Sequence, residues 1–186
     1  MAGAFVAIVG PSGAGKDTLI AHARTALAAD ADFIFVRRLV TRAANAFEDH
    51  DTIDPASFEA GHAAGSFALS WRAHGLGYAL PAETLAAVQA GSVAVCNLSR
   101  SVLAEARHRF PRVAVVLVTA PPEVLAVRLT ARGRESAVAV AERLRREAAC
   151  DEVPSPDLVV MNDRPIEITG GELLDFLSRL KETQPA

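Results

Sequence analysis

The chain's 186 residues suffice for one compact domain, or for a core domain carrying a small insert or lid. With 51% apolar and 22% charged residues it has the balance of a soluble globular protein able to bury a sizeable core. Lys+Arg 19 against Asp+Glu 22 leaves a net charge of -3, which excludes a strongly basic nucleic-acid carrier and permits a local basic cleft.

Apolar β-branched runs alternate with helical patterns along the chain. Residues 4–9 read as a buried strand, too short for a signal core or membrane span, and 16–28 as the helix after it. Residues 33–40 form the next strand, and 55–64 a short helix started by Asp54 before Pro55. Strands follow at 67–71 and in a run ending near Tyr78. Residues 81–90 are a helix closed by Gly91, 92–96 a strand, 101–109 a helix and 112–118 a strand. A helix at 122–131 stops near Gly133, and another spans 136–149. The last strand is 158–161 and the last helix 171–180, before a tail expected to fray. Strands apolar on both faces belong in a parallel sheet covered by helices on both sides, so the fold class is α/β, a doubly wound parallel sheet. The stretch 45–78 breaks the alternation and reads as a small α+β insert over the carboxyl edge of the sheet, where ligands bind.

Gly10, Pro11, Ser12, Gly13, Ala14, Gly15, Lys16, Asp17 and Thr18 follow a buried strand and open a helix, the context a P-loop requires. The glycines let successive N–H groups cradle phosphate oxygens, the helix N-terminus adds its dipole, and Lys16 supplies a point charge. The residue after the lysine is ordinarily a Mg²⁺-binding Ser or Thr, and here it is Asp17. Its carboxylate could ligate Mg²⁺, or could merely favour the first helical turn. No apolar strand ends in the usual second metal aspartate, since 93–97 ends in Asn97 and the run to Val118 ends in Thr119.

The switch and base-reading motifs of a GTPase are missing, and the chain is short for an ATPase motor; a small kinase phosphorylating a bound anion fits better. Arg37, Arg38 and Arg42 cluster where a strand meets a loop. Arg128, Arg132 and Arg134, then Arg143, Arg145 and Arg146, form a second cluster hinged at Gly133. Such arginines suit a lid closing over phosphates, or a solvated helix face paired with Glu135, Glu142 and Glu147.

On these motifs the chain resembles the guanylate kinase family of P-loop kinases from end to end. Gly10 to Lys16, Thr41-Arg42, Gly75 to Tyr78, Arg132-Gly133 with Arg143-Leu144, and Met161-Asn162-Asp163 match its motifs in turn. The departures lie in the base pocket. Asn45 replaces the second acceptor-phosphate arginine, no carboxylate falls near Leu69-Ser70, and Leu80 replaces a hydroxyl. The altered segments resemble the ribose 1,5-bisphosphate phosphokinase family of phosphonate catabolism. They are Gly15 to Thr18, Thr41-Arg42, Glu48 to His50, Leu69 to Gly75, Asn97 to Arg100 and Arg132 to Glu135.

That resemblance implies transfer of the ATP γ-phosphate to the 1-phosphate of a sugar bisphosphate, giving 5-phosphoribosyl 1-diphosphate. ATP and Mg²⁺ are the expected cofactors, with Asp17 as the metal candidate and Asn162 flanking adenine. Lys16, Arg42, Arg132 and Arg143 are the catalytic candidates; Arg134 joins the lid, and Thr18 faces the α-phosphate. Arg38, Arg42, His50, Trp71, His74 and Tyr78 are candidates for the acceptor site, with Arg37, Arg72 and Arg100 as further cationic supply. Asn97, Ser99 and Arg100 lie on the ligand edge of the sheet, or form an ordinary capped helix start. Trp71 serves packing equally well. One domain spans 1–186: core 1–44, 79–130 and 150–182, acceptor-binding insert 45–78 and lid 131–149. Neither nucleic acid nor membrane is an expected partner, and a homodimer stays open. Cys96 and Cys150 read as free thiols of a reducing cytoplasm. A nucleoside monophosphate kinase with altered base choice is the alternative, and a noncatalytic guanylate-kinase-like binding module ranks last because Lys16 is intact.

Overall fold

All six residues of β1 (Ala4–Val9) are inaccessible to solvent, because the run has no polar position and needs cover on both faces. Ala4, Val6 and Ile8 enter one core while Phe5, Ala7 and Val9 enter the other, the period-two alternation of a strand. Burying side chains the size of Phe5 and Ile8 contributes roughly 1.5–3 kcal/mol each. The computed structural model describes residues 2–43, 50–73, 75–131, 153 and 155–183. The expected helix at 136–149 and nearly all of the expected lid lie outside the described residues.

After β1 come α1 (Lys16–Ala26), β2 (Phe33–Phe35), β3 (Arg38–Val40), β4 (His50–Thr52), α2 (Pro55–Ala64), β5 (Leu69–Ala73) and β6 (Leu76–Leu80). Then follow α3 (Ala82–Gln89), β7 (Val93–Asn97), a 3₁₀ turn (Arg100–Val102), α4 (Leu103–Arg109), β8 (Val113–Thr119), α5 (Pro122–Ala131), β9 (Leu158–Met161) and α6 (Ile166–Glu182). The main sheet has five parallel strands in the order β2-β7-β1-β8-β9. Leu19 and Ala23 of α1 with Leu173 and Leu177 of α6 cover one face. Val88 of α3 and Leu103 and Ala106 of α4 cover the other, so the sheet is doubly wound. The carboxyl ends of β1, β7, β8 and β9 share one edge, and the chain reverses direction across the sheet beside β1, the usual ligand crevice. Among the described residues, no helix is long and apolar enough to cross a membrane.

A second sheet of four strands, order β4-β3-β6-β5, stands against the first, with Leu69, Trp71 and Leu80 buried in the shared core. Here the structure corrects the single strand expected at 33–40. Val36 makes the last bond to β7, its N–H donating to Val95 O at 2.9 Å. Arg38–Val40 then pairs with β4 and β6 instead. Consecutive arginines cannot be buried between helix-covered faces, so the chain leaves the main sheet there. The smaller sheet therefore runs from Arg38 to Leu80 rather than from residue 45. Other boundaries also differ: the strand expected at 67–71 is β5 at 69–73, the helix expected to reach residue 28 ends at Ala26, the helix expected from residue 101 begins as a 3₁₀ turn, and the last helix begins at Ile166 instead of 171.

Candidate active site

From the end of β1 the chain turns through Gly10 to Gly15 into α1. Gly10, Gly13 and Gly15 have φ of 142°, 84° and 88°, conformations open to glycine. At Gly15 space is a second constraint, since a Cβ would stand 2.3 Å from Asn162 Nδ2. Asn162, buried after β9, donates to Ala14 O at 2.7 Å and accepts from Thr169 Oγ1 at 3.1 Å. Its amide fastens the loop to the start of α6. Lys16 Nζ donates to Gly10 O at 2.8 Å and Pro11 O at 2.9 Å, which folds the ammonium over its own loop. No side chain caps α1, so its first N–H groups and dipole are oriented for an anion. Thr18 is exposed in that first turn.

Asp17 Oδ1 accepts from Asn97 Nδ2 at 2.7 Å, joining the start of α1 to the end of β7. Both residues line a solvent-open cleft together with Arg24, Arg37 and Arg38. Asp17, Ile20, Ala21 and Arg24 reach it as one helical stripe, spaced i, i+3, i+4 and i+7. Arg37 is also tied to Asp51 at 3.1 Å and to His50 O at 3.2 Å. Arginine against a lone carboxylate suits an anionic ligand. Among the described residues no three His, Cys, Asp or Glu converge on a metal cage. Mg²⁺ typically takes one or two protein carboxylates and fills the rest of its shell with water and phosphate oxygens. Asp17 beside the loop fits that requirement.

The expected acceptor residues divide. The Arg38 guanidinium lies 5.8 Å from the Tyr78 ring centroid, and Tyr78 stacks on Trp71 at 5.3 Å and 10°. Tyr78 is half-buried, whereas Trp71 is 6% exposed and sits in the core. Trp71 packs against Tyr78, its direct partner across β5 and β6. His50 is fully buried in β4, its Nδ1 3.2 Å from Asp51 O. Arg42 is half-buried at the end of β3, and its carbonyl accepts from Thr52 Oγ1. Thr41 beside it is clamped to Gly77, accepting the Gly77 N–H at 2.8 Å through Oγ1. Ser99 Oγ lies 2.9 Å from Ser101 Oγ at the 3₁₀ turn that holds Arg100. Arg72 belongs to a separate cluster, ion-paired with Glu59 and 5.9 Å from the Phe58 ring, so it supplies no charge to the cleft. His74, Arg132, Arg134 and Arg143 lie outside the described residues.

One arginine escaped the sequence reading of this site, and a second was read only as part of the lid cluster. Arg24 enters by the helical stripe from Asp17, a spacing visible in the sequence once the cleft is known. Arg128 Nη1 lies 3.8 Å from where a Gly15 Cβ would stand, and is buried with no hydrogen-bond partner among the described residues. It precedes Arg132 by four residues in the sequence. Cys96 is fully buried, and burial pushes its thiol up to about 12, so it is no nucleophile.

No family model matches the chain. It is similar to the ribose 1,5-bisphosphate phosphokinase PhnN of Methylobacterium radiotolerans, 55% identical over 177 residues, covering 95% of this chain and 98% of that protein. The protein of the same name from Brucella melitensis biotype 2 is 46% identical, covering 97% of this chain and 93% of its own. In fold the chain is similar to the crystal structure of guanylate kinase from Anaplasma phagocytophilum, with a TM-score of 0.66 at 19% identity, covering 98% of this chain and 88% of that one.

Proposed function

The chain belongs to the ribose 1,5-bisphosphate phosphokinase family, and on that footing we propose that it transfers the γ-phosphoryl group of ATP to the 1-phosphate of ribose 1,5-bisphosphate. An oxygen of the 1-phosphate attacks the γ-phosphorus, the bond from that phosphorus to the β–γ bridging oxygen breaks, and ADP leaves. The product is 5-phosphoribosyl 1-diphosphate. A phosphate monoester with a second pKa of about 6 is already anionic at neutral pH, so the acceptor needs no general base. Positioning and charge neutralisation supply the catalysis.

Lys16 and the amides from Gly13 to Thr18 hold the ATP phosphates. Arg128 reaches the same loop from α5, and the arginines at 132, 134 and 143 add charge from the lid. Asp17 would hold Mg²⁺, which when bound offsets charge on the β- and γ-phosphate oxygens. Arg42 and Arg38 hold the acceptor, Tyr78 supporting Arg38 by its ring. Arg24 and Arg37 line the same cleft and suit the sugar's second phosphate.

One observation carries the choice of acceptor. Where guanine would need a carboxylate, Leu69 and Leu80 are fully buried and paired across β5 and β6, and Ser70 Oγ is taken by His62 Nδ1 at 2.8 Å. The open cleft beside Asp17 is lined instead by arginines. A base edge without its partners binds poorly, whereas a phosphate matches a guanidinium fork. Phosphorus NMR of the protein with ATP, Mg²⁺ and ribose 1,5-bisphosphate tests the reading. The sugar 1-phosphate signal should give way to a diphosphate pair as ADP accumulates; ADP without that pair would contradict it.

A further inference from the structure

The Asp17–Asn97 hydrogen bond unites the two positions at which P-loop proteins ordinarily divide the work of metal binding. One is the residue after the loop lysine, normally a hydroxyl; the other is the end of a neighbouring strand, normally a carboxylate. In this chain the carboxylate is on the helix, at Asp17, and the neutral group is on the strand, at Asn97. The two side chains meet at 2.7 Å although 80 residues separate them. A carboxylate can only accept, so the Asn97 amide must present its NH₂ group, which fixes the orientation of both side chains. Oδ1 is thereby occupied, and Asp17 makes no other side-chain hydrogen bond among the described residues.

We propose that Asp17 and Asn97 are a transposed metal-binding pair. Asn97 is a positioning residue: it holds Oδ1 so that Oδ2 faces the metal that accompanies the nucleotide. The transposition conserves charge, one carboxylate per site, and Asn97 accordingly contacts Asp17 rather than the sugar. The inference rests on the kinase reading above but not on the identity of the acceptor. A change at Asn97 that broke only this bond would act on the metal, as loss of a partner behind a ligand generally costs about 10- to 100-fold in metal affinity.

The test uses Mn²⁺ and ADP with the full-length chain and no sugar, reading bound Mn²⁺ by electron paramagnetic resonance. Metal-free ADP affinity and Tm are measured beside it. Asn97→Leu and Asp17→Thr should each raise the Mn²⁺ concentration for half-saturation about tenfold or more, with metal-free ADP affinity little changed. Asp17→Thr is diagnostic, because threonine can still bond to Asn97: a merely structural link predicts normal Mn²⁺ binding. The double variant Asp17→Thr, Asn97→Asp should recover Mn²⁺ binding to within about threefold of the parent, the signature of coupled positions. Unchanged Mn²⁺ binding in Asn97→Leu, or a double variant no better than the worse single one, would overturn the pairing. A parent chain that binds neither ADP nor Mn²⁺·ADP would overturn the kinase reading with it. Normal Mn²⁺·ADP behaviour without turnover of ribose 1,5-bisphosphate would strike the acceptor assignment alone.

Discussion

Lys16 bonds to two carbonyls of its own loop, so its ammonium is already drawn in where a phosphoryl charge would develop. Lys16→Ala should leave the fold intact and reduce kcat by at least about a hundredfold, the usual consequence of losing a preorganised charge worth roughly 3 kcal/mol. A folded variant with near-parental turnover would remove Lys16 from the mechanism. Arg42→Ala should act differently, raising KM for the sugar bisphosphate more than tenfold, as a lost charged contact of about 1.5–3 kcal/mol implies, with ATP affinity nearly unchanged. At this scale the local spacings were legible, since Gly10 to Lys16 acts through its own backbone. Partners distant in sequence were not. Nothing near Asn162 announces Ala14, 148 residues away, and nothing near Trp71 shows that Tyr78 covers it.

The elements were legible where hydrophobic periodicity was continuous, as in β1, α2, α5 and β9. They were not legible where one apolar run serves two sheets, as in β2 and β3, or where a strand is three mostly polar residues, as in β4. The last helix starts at Ile166, five residues before its expected start at Gly171. In the structure Gly170 lies inside α6, where a Cβ would stand 2.4 Å from His22 Cδ2 on α1, so the glycine serves helix packing. Two links tie the ends of α6 to the rest of the core, one of them at the phosphate loop. Asn162→Ala would strand the Ala14 carbonyl, costing about 1–3 kcal/mol, and should raise KM for ATP through the displaced loop. An adenine contact would instead change the ATP-to-GTP preference with no loss of Tm. At the far end Lys181 bonds to Asp30 and Asp32. Hydrogen bonding from Lys181 lowers Asp30 from 3.8, so that share of stability is present above 3.8 and lost as pH falls through the lower folded value. Hydrogen bonding to Asp30 raises Lys181 from 10.5, so its share is present below 10.5 and lost as pH rises through the higher folded value. Lys181→Met should therefore lower Tm by a constant amount from about pH 5 to 9, with the difference closing in stronger acid. A gap that widened in acid would contradict the ion pair.

Across the whole molecule, a parallel sheet presents the phosphate loop and a smaller sheet stands beside it. The arginine-lined cleft opens where the chain passes from one to the other, between β2 and β3. On the proposed function that passage makes the acceptor side cationic, and the buried pair Leu69 and Leu80 offers a base no polar partner. The fold class was legible because alternation of strands and helices is a global pattern. The cleft was not, because it is built from α1, β2, β3 and β7 together. The central claim is that this arrangement selects a sugar bisphosphate over a nucleotide, and initial rates with ATP, Mg²⁺ and either ribose 1,5-bisphosphate or GMP at equal concentration test it most directly. The sugar bisphosphate should be the faster acceptor by up to about 10⁴-fold, the discrimination available when a site lacks a substrate's hydrogen-bond partners. Faster turnover of GMP would contradict the account.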